Sequence, residues 1–166
     1  MTQTDRAQRA FIDRLGDAAE ADGLSPIAGR LFALLMLAPE PRSLDELAEA
    51  LGVSKASVST DARRLLERGI VERTRRTGDR RDFYELTPDF FARVIRARVA
   101  RWRRIQQLVD EVRVETGTLS PAAKTRFDAV ETIQTAVIDR VDDALDEWER
   151  EARKQRAAAR GKRRSA

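Results

Sequence analysis

The 166-residue sequence contains neither cysteine nor histidine. Without thiols the chain cannot form disulfides or sense oxidants through cysteine, and without thiolate or imidazole ligands it lacks the usual zinc and haem sites. Catalytic triads that depend on histidine are excluded for the same reason. We therefore predict no metal site and no cofactor.

Long apolar runs are missing as well. The most apolar stretch, LFALLML at residues 31–37, is much shorter than the ~20 residues of a transmembrane helix. The opening residues, MTQTDRAQRA, do not have the pattern of a signal peptide. These absences predict a cytoplasmic protein, located at the nucleoid, with no membrane partner.

The sequence also lacks the features of common catalytic sites. Its eight glycines are scattered along the chain, several of them at helix ends and turns, so no glycine-rich phosphate loop is present. Carboxylates are plentiful late in the chain, but on a helix face they are typical of surface charge rather than of an acid–base pair; the group consists of Asp142, Asp143, Asp146 and Glu147. We predict that the protein is not an enzyme.

Positive charge is concentrated in two segments. The net charge is only +4, but residues 55–81 contain nine basic and four acidic residues, and residues 150–166 contain eight basic and one acidic. The rest of the chain is therefore acidic on balance. Such clustering is typical of proteins that contact nucleic-acid phosphates.

Residues 43–68 have the pattern of two short helices joined by a tight turn. Ser43 can cap the first helix, and Glu46 can reach back to complete a capping box. Gly52 stands where a chain leaving a helix often needs a positive φ, and Ser54 can cap the next helix. Apolar side chains that share one side of the first helix are Leu44, Leu47, Ala48 and Leu51.

The second of these helices, predicted over residues 55–68, separates an apolar stripe from a polar face. Val58, Ala62 and Leu65 recur at helical spacing, which indicates burial. The opposite face begins with small and hydroxylated side chains, which suit the close approach of a helix N-terminus to base edges in the major groove. The candidate DNA-contacting residues here are Ser54, Lys55, Ala56, Ser57, Ser59, Thr60, Arg63 and Arg64.

A basic hairpin follows directly. Strands are predicted at residues 70–75 and 82–86, with the turn sequence RTGD at residues 76–79 between them. Such a wing can contact phosphates or place an arginine in a narrow minor groove. Its candidate residues are Arg73, Arg75, Arg76, Arg80 and Arg81, and Asp79 or Asp82 can hold the last two guanidinium groups in place.

Two interpretations of these residues compete. A helix-turn-helix can be no more than a compact helical corner, and an arginine run is often a solvated face. The basic hairpin directly after the helix-turn-helix is the order of a winged helix-turn-helix, and this combination favours binding to double-stranded DNA.

The remaining chain is predicted to be helical, with helices at residues 4–22, 26–38, 44–51, 55–68, 88–116 and 121–155. Pro26, Pro88 and Pro121 each follow a capping residue at a first helical position. The last two helices carry apolar seams, and Gly117 and Thr118 between them indicate an antiparallel hairpin. The seams are Phe91, Ile95, Trp102, Ile105, Val109 and Val112 in one helix, and Ala123, Phe127, Val130, Val137, Val141, Ala144 and Trp148 in the other.

These seams can pack against the winged domain of the same chain. The sequence offers little other apolar mass to cover two such helices, which favours a homodimer interface with helix 4–22 alongside. The apolar residues of that N-terminal helix are Phe11, Leu15 and Ala18.

Three stretches resemble the MarR superfamily of transcription regulators, and most closely its GbsR-like branch. They are GLSPIAGRLFALLML at residues 23–37, SLDELAEALGVSKASVS at 43–59 and ERGIVERTRRTGDRRDFYEL at 67–86. The resemblance implies a homodimeric winged-helix repressor with residues 54–68 as recognition helix and Asp79-Arg80-Arg81 as the wing element, in which the aspartate orients arginine for DNA. It also implies a link to choline and glycine-betaine regulation and a ligand cavity between the winged domain and the dimer helices.

The predicted fold class is therefore mainly α, a winged helix-turn-helix with a small β-hairpin wing and N- and C-terminal dimerisation helices. Residues 1–24 form the N-terminal helix, 25–87 the DNA-binding domain, 88–149 the dimerisation hairpin and 150–166 a basic tail. Because the tail has almost no apolar side chains, we expect it to be disordered; it either adds phosphate contacts or stays solvated.

The predicted function is sequence-specific regulation, as a repressor, by a homodimer on a pseudo-palindromic double-stranded operator. The alternative is a non-specific architectural protein of the nucleoid. A small-molecule effector is a further expectation, since four aromatic residues could line a cage for a quaternary ammonium such as choline. They are Trp102, Trp148, Phe90 and Tyr84, although aromatic side chains at helical spacing are more often core.

Overall fold

The computed structural model describes residues 3–21 and 23–164, with side chains described as far as residue 155. Residues 1, 2, 22, 165 and 166 of the predicted segments lie outside this range. The described elements are, in order, α1 (Gln3–Ala21), α2 (Pro26–Leu37), β1 (Arg42–Ser43), α3 (Leu44–Leu51), α4 (Lys55–Glu67), β2 (Val71–Arg75), β3 (Asp82–Leu86), α5 (Phe90–Thr116) and α6 (Pro121–Arg164).

The chain divides into two compact units, residues 1–93 and 94–166. The core of the first unit is formed by the apolar sides of α2, α3, α4 and the sheet. Its largest fully buried side chains include Phe83, Leu31, Leu47, Leu65 and Val58. The apolar stripe predicted on α4 is confirmed, because Val58, Ala62 and Leu65 are all buried.

Helix α1 packs against α2 at a close crossing. A Cβ atom at Gly29 would lie 2.5 Å from Ala19 Cβ and 2.6 Å from the Leu15 carbonyl oxygen. Only glycine allows the two backbones to approach so closely. The N-terminal helix therefore belongs to the same unit as α2–α4, and the structure divides after Arg93 rather than at the predicted boundaries after residues 24 and 87.

A three-stranded antiparallel sheet completes the first unit, in the order β1-β3-β2. Ser43 of β1 and Thr74 of β2 both pair with Phe83 of the central strand. The sequence predicted β2 and β3 but not β1. Two residues after a proline-containing loop have no periodicity, and only their pairing with β3 makes them a strand.

The second unit contains most of α5 together with α6. Arg96 pairs with Glu149 at 2.7 Å, Arg103 with Asp142, and Arg113 with Glu131 at 2.6 Å. The partner's number falls as the arginine's number rises, so the two helices are antiparallel, as predicted. Most seam residues stay partly exposed in the single chain, among them Ile105, Val112, Val130, Val137 and Trp148.

The structure corrects two expectations about helix ends. Helix α5 begins at Phe90, not at Pro88, because the Thr87 hydroxyl does not cap it and instead donates to the Gly69 and Ile70 carbonyl oxygens at 2.9 and 3.2 Å. Helix α6 continues to Arg164, beyond the predicted end at residue 155. The added segment is rich in alanine, arginine and lysine, which have high intrinsic helix propensity. The disorder expected for the basic tail stays a prediction, because most of the tail lies outside the residues whose side chains are described.

Candidate nucleic-acid interface

Local capping interactions build the helix-turn-helix from α3 and α4. Glu46 N–H donates to Ser43 Oγ at 3.4 Å, and Ser43 N–H donates to Glu46 Oε2 at 2.7 Å, which completes the predicted capping box. The backbone hydrogen bond from Ser43 lowers the pKa of the Glu46 carboxyl, with Arg81 and Arg42 as smaller contributors. The start of α3 is therefore stabilised by the charged side chain of Glu46.

The turn between these helices depends on Gly52 and Ser54. Gly52 adopts φ 65°, in the left-handed region that favours glycine, and ends α3. The Ser54 hydroxyl then accepts a hydrogen bond from Ser57 N–H at 3.2 Å, which starts α4. The orientation of α4 is thus set by two residues that the sequence identified.

The outer face of α4 carries the predicted contact residues. Ala56, Thr60, Arg63 and Arg64 are exposed, and Ser57 and Ser59 are half-buried. The Thr60 hydroxyl donates to the Ala56 carbonyl oxygen at 3.1 Å, and the Ser54 and Ser57 hydroxyls share a hydrogen bond of 2.8 Å. Because a hydroxyl that donates still has lone pairs, Thr60 presents an acceptor on the exposed surface.

The cationic side chains of α4 differ in their ion-pair partners. Lys55 Nζ lies 2.8 Å from Asp45 Oδ1 of α3, and Arg64 Nη1 lies 3.1 Å from Asp61 Oδ1. Arg63 has no ion-pair partner among the described residues. Lys55 therefore joins the two helices, whereas Arg63 extends from the surface without a counter-charge within that part of the chain.

At the tip of the wing, Asp79 holds Arg81. Gly78 turns the chain with φ 84°, and the Asp79 carboxylate then accepts hydrogen bonds from the Arg81 backbone N–H at 2.9 Å, from Nε at 3.0 Å and from Nη2 at 2.7 Å. These bonds, led by those of the Arg81 side chain, lower the pKa of Asp79 to about 2 and raise that of Arg81. The fork of Arg81 is thereby fixed in one orientation.

The ring of Phe83 contacts the guanidinium groups of two wing arginines. The ring is fully buried, and the guanidinium carbons of Arg76 and Arg81 lie 4.4 and 5.2 Å from the ring centroid. Arg76 Nη2 also donates to Glu40 Oε2 at 3.0 Å and to the Pro41 carbonyl oxygen at 2.9 Å. Neither Phe83 nor Glu40 was among the predicted site residues; the alternation of apolar residues in the strand was the only signal for Phe83.

Of the remaining wing arginines, Arg73 and Arg75 lie in β2, and Arg80 lies in the turn before β3. Asp82 pairs with Arg73 at 3.1 Å and with Arg75 at 3.4 Å, rather than with Arg80 or Arg81, for which it was a candidate. Arg80 has no ion-pair partner among the residues whose side chains are described. The turn thus presents Arg81, which Asp79 orients, beside Arg80, which has no counter-charge among the described side chains.

The four aromatic residues of the predicted cage divide between the two units: Tyr84 and Phe90 belong to the first, and Trp102 and Trp148 belong to the second. Phe90 packs edge-on against Phe32 and Phe91, at centroid distances of 5.6 and 6.3 Å. Tyr84 is buried in the sheet. A quaternary ammonium effector therefore stays a prediction without geometric support.

The described residues contain no group of three or more acidic side chains arranged to hold a metal ion. None of the helices in that range is long and apolar enough to cross a membrane.

Comparison with known proteins identifies the architecture. A model described as "MarR family" matches residues 22–82. The HTH-type transcriptional regulator MmpR5 of Mycobacterium tuberculosis is 35% identical over 136 residues, which cover 81% of this chain and 82% of that protein. The chain belongs to the MarR family.

Other matches agree with this assignment. A solved structure described as a transcriptional regulator superposes with a TM-score of 0.71 at 32% identity, covering 87% of this chain and all but 1% of that one. The HTH-type transcriptional repressor GbsR of Bacillus subtilis is 27% identical over 104 residues, 63% of this chain and 57% of the repressor. The chain is a DNA-binding transcriptional regulator of the winged-helix class, as predicted.

In this MarR-family chain, the Asp79–Arg81 pair should be insensitive to physiological pH. A carboxyl whose pKa falls from 3.8 to about 2 on folding adds stability that is present above pH 3.8 and lost as the pH falls toward 2. Carboxyl ¹³C NMR of the folded protein should give a titration midpoint about 2 for Asp79, assigned by the loss of its signal in Asp79→Asn. A midpoint close to the ordinary value would contradict the pairing.

Glu40 should weaken DNA binding by competing with phosphate for Arg76. The pair is largely exposed on the Glu40 side, so its contribution is small, and Glu40→Gln should raise affinity for any DNA duplex by roughly two- to fivefold at low salt. Fluorescence anisotropy with a labelled duplex measures this change. Glu115→Gln, which removes one negative charge from α5, is the control; an equal gain there would show that net charge alone is responsible.

Proposed function

We propose that the protein is a homodimeric repressor that reads a pseudo-palindromic operator with α4 in the major groove. The proposal rests on the difference between the two sides of α4. Its apolar stripe is buried, and its exposed side begins with small and hydroxylated residues. Small side chains near the start of such a helix allow it to approach base edges closely. The name of the relative GbsR, a transcriptional repressor, supports the direction of regulation.

The wing supports the same docking. Arg81 is oriented by Asp79 and stacked on Phe83, so its ordering requires little further loss of side-chain freedom on binding. Arg80 stands beside it on the same exposed turn. Together they supply phosphate or minor-groove contacts on the flank of the site that α4 reads.

The dimer proposal rests on uncovered apolar side chains of α5 and α6. Ile133 is 65% exposed and Val114 is 82% exposed, in addition to the seam residues described above. Apolar surface concentrated on two long helices is typical of an interface rather than of a free surface. A second copy of the chain would cover it and bring two recognition helices onto one duplex.

Two measurements on the full chain test this proposal. Light scattering at micromolar concentration should give about twice the chain mass of 18.8 kDa. Selection from a random duplex library should recover one palindromic sequence with half-sites about one helical turn apart. A stable folded monomer would refute the dimer, and uniform recovery of all sequences would favour an architectural protein instead.

Thr60→Ala should change which sequence is preferred. The exposed hydroxyl lies near the start of α4, and its loss should cost about 1–3 kcal/mol at the selected site while altering the preference at one position of each half-site. Selection with the variant checks this expectation. Thr125→Ala, which removes a similar hydroxyl from α6, is the control and should return the wild-type sequence.

A further inference from the structure

Helix α4 buries one carboxylate. Asp61 is only 4% exposed and lies on the side of α4 that carries Val58 and Leu65. An ionised carboxylate out of contact with water is costly unless a positive charge or several donors compensate for it. An aspartate at this position, in a helix whose other inward residues are apolar, needs a compensating partner.

Its partner extends outward from the same helix. Arg64 Nη1 lies 3.1 Å from Asp61 Oδ1, and the side chain of Arg64 is 56% exposed whereas that of Asp61 is 6% exposed. The pair thus connects the buried side of α4 to its outer face. Because burial immobilises the Asp61 carboxylate, this carboxylate fixes the position of Arg64 Nη1. A guanidinium group has five N–H donors. The other donors remain for an external acceptor.

Arg63 provides the contrast within the same helix. It is exposed and has no ion-pair partner among the described residues. Two successive arginines of the proposed recognition surface therefore differ in one respect, the presence of an anchoring carboxylate. An unanchored arginine loses side-chain freedom when it binds, and an anchored one has already lost much of it.

We infer that Asp61 is a positioning residue for DNA recognition, which holds the Arg64 guanidinium in the orientation in which Arg64 contacts DNA. The inference rests on the proposed function, since it requires α4 to lie against the duplex. Asp61 itself does not touch DNA and acts only through Arg64.

The test uses the duplex selected by the wild-type chain and a shuffled duplex of equal length. Asp61→Asn, Arg64→Ala and the double variant are titrated against both by fluorescence anisotropy. Asp61→Asn should weaken binding to the selected duplex by about five- to tenfold, and the double variant should bind no more weakly than Arg64→Ala alone. Glu111→Gln, which breaks an exposed carboxylate–arginine pair within α5, is the matched control and should leave affinity unchanged.

Additive losses in the double variant, or wild-type affinity for Asp61→Asn, would overturn the inference. Selection with each variant adds a readout that a merely structural role would not alter: Asp61→Asn and Arg64→Ala should lose preference at the same base pair. If the wild-type chain selects no sequence, the proposed function fails; if it does but the two residues do not couple, only the inference fails.

A second measurement leaves Asp61 in place, so it tests the inference even if the Asp61→Asn variant does not fold. A guanidinium anchored by a fixed carboxylate rotates slowly, so ¹⁵N NMR of the free wild-type protein should contain a resolved η-amine signal that is absent from Arg64→Ala. No such signal under conditions where the Arg81 signal is resolved would overturn the inference.

Discussion

Replacing Arg80 and Arg81 together with alanine is expected to weaken binding to every DNA duplex and to reduce its dependence on salt. Both side chains are exposed at the wing turn, and Arg81 is held in one orientation by Asp79. Removing one charged hydrogen bond to DNA should cost roughly tenfold in affinity. The slope of log K against log salt should fall in magnitude by about 0.9 for each phosphate that is no longer neutralised in each half of the complex.

Titration of labelled duplexes across a salt series measures both quantities. The control is Arg101→Ala with Arg126→Ala, which removes the same charge from exposed positions of α5 and α6. Equal effects of the two double variants would mean that net charge, not direct contact, is responsible. An unchanged slope and affinity for the wing variant would show that the hairpin does not touch DNA, and α4 would then have to account for binding alone.

The second large effect is expected at Phe83, where the core and the wing meet. Phe83 is fully buried in the central strand, and its ring contacts the guanidinium groups of Arg76 and Arg81. Phe83→Ala should lower the free energy of unfolding by about 3–5 kcal/mol, because it removes buried surface and leaves a cavity. Urea denaturation followed by circular dichroism measures this loss.

Phe83→Leu separates the two roles of the ring. Leucine keeps most of the apolar volume, so we expect a stability loss of less than about 1.5 kcal/mol. It has no aromatic face, so neither arginine keeps its cation–π interaction and DNA binding should weaken although the protein stays folded. Wild-type affinity for the leucine variant would show that the ring only fills space. Phe32→Leu, in α2, is the control for a phenylalanine away from the wing.

The interface combines pairs that DNA binding should preserve with pairs that it should break. Asp79–Arg81 and Asp61–Arg64 leave guanidinium donors available and reduce the freedom lost on binding. Glu40–Arg76 instead occupies a guanidinium with a competing anion. We therefore expect affinity for DNA to depend on which carboxylate faces each arginine, as well as on the number of positive charges.

Much of the first unit could be predicted because its signals are local. The Ser43–Glu46 capping box, the glycine at position 52 and the Ser54 cap lie within a few residues of the groups they satisfy. As a result, both ends of α3 agree with the predicted range. The whole of β3 also agrees with its predicted range. The burial of one side of α4 followed from helical periodicity alone.

Only the tertiary structure decided which residues pair across the chain. Strand β1 exists because β3 offers it hydrogen bonds, and Glu40 reaches Arg76 although 36 positions separate them. The Thr87 hydroxyl was expected to cap a helix, but folding brought the carbonyl oxygens of Gly69 and Ile70 within its reach. Caps, turns and periodicity depend on neighbouring residues and are therefore encoded locally, whereas the partner of a charge or a strand depends on how distant segments pack.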